Sequence, residues 1–387
     1  MIRRGGSELP PVGQRRDAMK IKNARVFSNG RFIQGGIAFS DRIEAIGTEI
    51  TDGFDAQGGF LIPGLVDIHT HGAVGEDAGD GRPEGLVRLS RYYAAQGVTS
   101  WCPTTETLKE TELIRAMHAI RDFVRPSDGA KIAGVHLEGP FLSREKCGAQ
   151  NPDNLHAPDV DLFNRLNEAS GGLVRLVTVA PELPNVMEFI RAASSVCTVS
   201  IGHTAAPFDV AAEAFASGAS HVTHLFNAMP PLHHREPGVI AAASDAGATA
   251  ELIVDGLHVH PAAVRLAYRL FGDKLVLISD SLRCAGMPDG EYELGGRSVT
   301  VRDGRATLTG TDTLAGGSIG LMEGLRRAVR FGIPLEAAVT AASYTPAKVI
   351  GRAGEIGSLA CGRAADFVLL GPDLCVRSVW VDGQMIP

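Results

Sequence analysis

The sequence predicts an α/β protein, a (β/α)8 TIM-like barrel with a small accessory β-sandwich domain formed by both chain ends. Three observations carry this. Eight short apolar runs alternate with helix-like stretches through the middle of the chain, and eight alternating units indicate a closed parallel barrel more than an open sheet. Both ends are instead rich in β-formers and broken by turn pairs. The length, 387 residues, exceeds the roughly 250 of a plain barrel by enough for a second unit.

In chain order, residues 1–18 are rich in Arg, Gly and Pro, lack the apolar core of a secretory signal, and are expected to be a disordered extension. Met19 begins the patterned chain. Residues 19–62 alternate short β-rich segments with Ser28-Asn29-Gly30, Gly35-Gly36, Asp52-Gly53 and Gly58-Gly59. Residues 353–387 look alike, and because chain ends often meet, the two stretches are expected to form one accessory domain around a barrel at 63–352. The first barrel strand runs into the pair His69 and His71. Strand-like runs follow at 97–102, 132–137, 174–179, 197–201, 221–224, 250–254 and 275–279. Between them, stretches such as 110–125 and 186–194 place apolar residues three and four apart, as amphipathic helices do. A hairpin is expected over 291–308.

Composition narrows the function. The chain is 44% hydrophobic and 21% charged with a net charge of -7, which offers no general attraction to nucleic acid or an anionic membrane and leaves small molecules as the expected partners. No apolar run reaches the ~18 residues of a membrane span. The six cysteines, Cys102, Cys147, Cys197, Cys284, Cys361 and Cys375, lack Cys-x-x-Cys spacing. They suggest neither a disulfide framework nor a cysteine zinc site, and a reducing, cytoplasmic setting fits them.

Chemistry collects at the strand ends. Residues two apart on a strand share a face, so His69 and His71 project together, and paired neutral imidazoles suit zinc and iron-group ions. A parallel barrel builds its active site at the carboxyl ends of its strands. There the sequence offers Glu138 after the third run, His203 after the fifth, His224 after the sixth and Asp280 after the eighth. Singly, Glu138 could cap a helix, His203 could be a core histidine and Asp280 a turn former. Together they put nitrogen and oxygen ligands at the same end of five strands.

The stretch Pro63-Gly64-Leu65-Val66-Asp67-Ile68-His69-Thr70-His71-Gly72 resembles the first signature of the amidohydrolase superfamily. Later motifs are similar to those of the N-acetylglucosamine-6-phosphate deacetylase family: His136-Leu137-Glu138-Gly139-Pro140-Phe141, Gly202-His203-Thr204, Thr223-His224-Leu225-Phe226-Asn227-Ala228-Met229, Arg235-Glu236-Pro237-Gly238, Asp255-Gly256-Leu257-His258-Val259 and Ser279-Asp280. The resemblance implies that Glu138, His203 and His224 hold a main divalent ion, zinc in the first instance with iron, manganese or cobalt as alternatives. His69 and His71 would hold a second ion, Glu138 bridging the two. The resemblance counts Asp280 among the metal ligands too, and makes it the proton carrier for hydrolysis of the acetamide to acetate and glucosamine 6-phosphate. The implied substrate contacts are Ala149, Gln150, Asn227, Ala228, Arg235, His258 and the loop residues Leu314, Ala315 and Gly316. Some of these come from a neighbouring subunit, which implies a homodimer.

Departures are visible too. Many amidohydrolases bridge two metals with a carboxylated lysine on the fourth strand, where this chain has only Arg175. Gln150 replaces a histidine credited with touching substrate, Cys147 beside it reads as a small buried filler, and Ser281 follows Asp280 where alanine is common. A deacetylase of the galactosamine isomer or another N-acyl sugar is the nearest rival, and a binding protein on an inactive barrel is a remoter one.

Overall fold

A computed structural model describes residues 18–387. The expected disordered extension, 1–18, lies outside the described residues except for Ala18. Eight parallel strands form the central barrel: β1 (Leu65–Thr70), β2 (Val98–Thr105), β3 (Val135–Glu138), β4 (Val174–Val179), β5 (Thr198–Ile201), β6 (His221–Val222), β7 (Thr249–Ile253) and β8 (Leu275–Ile278). Neighbours in sequence pair in order from β1 to β8. Helices cover the outer face, so the strands are buried on both faces and read as continuous apolar runs.

Among the described residues no ladder joins β8 to β1. Their carboxyl ends are stitched instead by backbone bonds, Asp280 N–H donating to His69 O at 3.0 Å and the N–H groups of His71 and Gly72 both donating to Ser281 O at 2.9 Å. The Ser281 hydroxyl, unread in the sequence, completes this seam by donating to Gly72 O at 2.8 Å and meeting the Thr70 hydroxyl at 2.8 Å.

The third strand departs from expectation. Its run breaks after Lys131–Ile132 and resumes as β3. Ile132 faces Trp101 whereas His136 faces Thr104, so one extra residue forms a bulge that re-aims the strand just before Glu138. The helix expected over 110–125 stops at Arg121. Residue 125 precedes Pro126, and a residue before proline is pushed out of the helical region. The expected hairpin is a larger unit, a four-stranded antiparallel meander of Gly290–Leu294, Arg297–Arg302, Arg305–Leu308 and Leu314–Gly316. The loop residues Leu314 to Gly316 thus form its fourth strand.

Both ends join in one eight-stranded sheet, the C-terminal strands side by side in one half and the N-terminal strands in the other, meeting where Phe60–Pro63 pairs with Phe367–Leu370. The sheet curls over its own core. Phe39 and Phe367 lie three strand spacings apart along the path, about 14 Å if flat, yet their rings stand 4.8 Å apart.

Candidate metal centre and active site

The carboxyl end of the barrel opens into a cavity of about 440 Å³. His69 near the end of β1 and His71 just past it stand with their ring centroids 5.3 Å apart. Glu138 ends β3 and is buried. His203, His224 and Asp280 each follow a strand in the left-handed region, at φ +46°, +26° and +46°. Such backbone costs a non-glycine residue about 1–2 kcal/mol, and it concentrates at functional sites, where the surrounding fold enforces it.

Glu138 is the hub. Its Oε1 lies 2.9 Å from His224 Nε2, 3.2 Å from His203 Nε2 and 3.4 Å from His69 Nε2, while its Oε2 lies 3.2 Å from His71 Nε2. Asp280 Oδ1 stands 3.3 Å from the Nε2 atoms of both His69 and His71. Two donor sets overlap at Glu138, Glu138-His203-His224 and His69-His71-Glu138, and a third, His69-His136-Glu251, adjoins them through His69, each with its ligand atoms within 4.8 Å of one another. The donor chemistry fits a divalent cation. His69 Nε2 is buried with no hydrogen-bond partner, although it faces two carboxylates.

Electrostatics agree. Burial disfavours a charged ring at His69, but Glu138, Glu251 and Asp280 outweigh it and hold that imidazole well above its ordinary range. Burial likewise pushes the Glu138 carboxyl up, and His69, His203 and His224 overcome it and hold Glu138 well below the usual carboxylate range. The pocket is built to stabilise positive charge among buried carboxylates.

The expected substrate residues divide. Ala149, Gln150, Asn227, Ala228, His258, Leu314, Ala315 and Gly316 all line the cavity. Arg235 does not line it and is exposed, its guanidinium donating to His234 Nε2 at 2.7 Å. His258 is held by Asp255, Nδ1–H donating to Oδ2 at 2.6 Å, which leaves Nε2 free of that bond. Gln150 donates to Glu138 Oε2 at 2.6 Å and accepts from Thr107 N–H at 2.7 Å, so its amide braces the central carboxylate. Cys147 is half-buried, not the buried filler expected. Its carbonyl accepts from Gln150 N–H at 2.9 Å and helps shape that turn.

Sequence reasoning missed Lys146 and Arg305, cations at the cavity wall, and Glu251 beneath it. Glu251 left a usable signal, a lone carboxylate inside the otherwise apolar run of β7.

The Amidohydrolase family model matches residues 60–386. The chain belongs to the amidohydrolase family. This amidohydrolase is 40% identical over 321 residues to the N-acetylglucosamine-6-phosphate deacetylase of Bacillus subtilis, covering 81% of each chain. It is 36% identical to the N-acetylgalactosamine-6-phosphate deacetylase of Escherichia coli O157:H7, covering 89% of this chain and 91% of the relative. Among solved structures, a mutant N-acetyl-D-glucosamine-6-phosphate deacetylase from Mycobacterium smegmatis in complex with N-acetyl-D-glucosamine-6-phosphate superposes with a TM-score of 0.91 at 33% identity, covering 95% of this chain and 99% of that one. Such barrels are metal-dependent, in keeping with the buried histidines and glutamate of this amidohydrolase.

Proposed function

We infer that this amidohydrolase removes the acetyl group of N-acetylglucosamine 6-phosphate, giving acetate and glucosamine 6-phosphate in amino-sugar catabolism. The observation that carries the reading is Glu138, His203 and His224 gathered beside Asp280 in a cavity of about 440 Å³, a volume suited to one small ligand. Glu138, His203 and His224 would hold one divalent ion, and His69 and His71 a second with Glu138 shared. Zinc suits these donors, with iron, manganese and cobalt as alternatives. A divalent ion there supplies Lewis acidity, lowering the pKa of water and polarising the amide oxygen.

The chain's own residues do the rest. Asp280 accepts a proton from water as the water oxygen bonds to the acetyl carbon, and returns it to the sugar nitrogen as the C–N bond breaks. Gln150 keeps Glu138 in place. His258, Lys146 and Arg305 offer positive or donor groups to the phosphate from within the chain, and Arg235 would reach it from a neighbouring subunit of a homodimer. Six free thiols support a reducing, cytoplasmic setting, and among the described residues no helix is long and apolar enough to cross a membrane.

Acetate release from N-acetylglucosamine, N-acetylgalactosamine and their 6-phosphates, run beside elemental analysis, tests the reading. The gluco 6-phosphate should be preferred. Arg235→Ala should lose about 10–100-fold in kcat/KM on phosphorylated sugar alone. A wild type indifferent to phosphate, or an Arg235→Ala loss equal on both sugars, would overturn the phosphate assignment.

A further inference from the structure

Glu251 is a formal charge with no exposed surface at all, set in the middle of an apolar strand inside the barrel. Packing alone would favour an aliphatic side chain there, because an ionised carboxylate away from water is costly unless paired. Its pairing is directed. Oε2 lies 2.8 Å from His69 Nδ1 and accepts from the His224 N–H at 3.2 Å, while Oε1 lies 3.2 Å from His221 Nε2. The neighbouring His136 ring stands edge-on to His69 with centroids 4.5 Å apart, and its Nε2 is engaged by the Thr178 hydroxyl at 2.8 Å. Among the described residues nothing else is hydrogen-bonded to His69 Nδ1.

We propose that Glu251 is the positioning residue of the His69 half of the site, holding the Nδ1–H of that ring so that Nε2 alone is turned toward the ion. The inference rests on the two-ion reading above. A ring bonded through Nδ1 to a carboxylate has its tautomer and orientation set and its other nitrogen made more basic, and loss of such a partner lowers metal affinity about 10–100-fold. The His224 contact runs through its backbone, so the ion held by Glu138, His203 and His224 should be affected much less.

The test is competition of a chromophoric chelator against the zinc-loaded full chain. Wild type, Glu251→Gln, Glu251→Asp, His69→Asn and the double variant His69→Asn/Glu251→Gln are compared, with thermal melts to check folding. Glu251→Gln keeps the shape without the charge, and Glu251→Asp keeps the charge but withdraws it from the ring. One of two ions should be released about 10–100-fold more readily in both, the other nearly unchanged, and Glu251→Gln should add nothing once His69 is replaced. Equal loosening of both ions, no loosening, a further effect in the His69→Asn background, a wild type holding a single ion, or failure of both Glu251 variants to fold would overturn the proposal. Acetate release by the same wild-type preparation tests the parent reading separately, since the metal readout needs no substrate.

Discussion

Asp280 faces His69 and His71 at 3.3 Å from a backbone held by the seam between β8 and β1. Asparagine keeps an oxygen there but cannot carry a proton. Asp280→Asn should therefore retain its metal and lose about 10²–10⁴-fold in kcat. Elemental analysis beside turnover checks this, and a rate within about tenfold of wild type would assign the proton to another group. Asp67 carries a different prediction. It is buried, its Oδ1 reaches the N–H groups of His69 and Ser279 only at 3.4 Å, and its Oδ2 has no partner. Burial pushes its carboxyl up to about 7, against about 4 in an unfolded chain. Between those values the folded state binds a proton that the unfolded state has released, so this contribution to stability is complete below about pH 4 and is lost as pH rises to about 7. Asp67→Asn does not titrate, and its Tm should gain on wild type across that window. A Tm difference flat with pH would show that Asp67 is ionised throughout.

The strand Leu314–Gly316 and its neighbour Gly317 tie the meander to the catalytic strand end. Gly317 N–H donates to Asp280 O at 2.7 Å, and Leu282 N–H donates to Gly317 O at 2.9 Å. A Cβ at Gly317 would stand 2.2 Å from Ser279 O, a backbone atom with little freedom to retreat. Gly317→Ala must then part the two segments beside Asp280. A displacement near 1 Å at a reacting group costs about 10²-fold, so kcat should fall by that order while the barrel still folds. Unchanged kinetics in the alanine variant would mean that the meander does not position Asp280. The meander was only partly foreseen because its fourth strand is two residues of ordinary composition and one glycine, too short for period-2 alternation to register.

Barrel and accessory sheet are expected to melt as one unit, because the junction strands Phe60–Pro63 and Phe367–Leu370 are buried on both faces. One face packs Ile37, Phe39, Leu61, Phe367 and Trp380 together, while Phe27, Ile62, Val368 and Val379 on the other join the main barrel core. Ion pairs cross the same boundary, Lys131 to Asp366 at 2.8 Å and Arg125 to Asp382 at 2.9 Å. Phe39 is fully buried against Phe367 and Trp380, and Phe39→Ala should cost about 3–5 kcal/mol. Loss of secondary structure and loss of activity should move to lower temperature together, with kcat at 25 °C unchanged. Two separated transitions would show that the accessory sheet melts alone.

Barrel strands were legible because each is buried on both faces and reads as an apolar run, and the ligands were legible because they stand where those runs end. His69 and His71 needed only the two-residue period of β1. The partnerships across the barrel were not legible. Glu251 meets His69 across 182 positions, and Gln150 reaches Glu138, because closure of β8 on β1 and the turn at Cys147 decide which side chains share a space. Sequence periodicity assigns a residue to a face of its own strand. Which residue of a distant strand shares that space depends on shear, bulge and closure, and these belong to the folded chain alone.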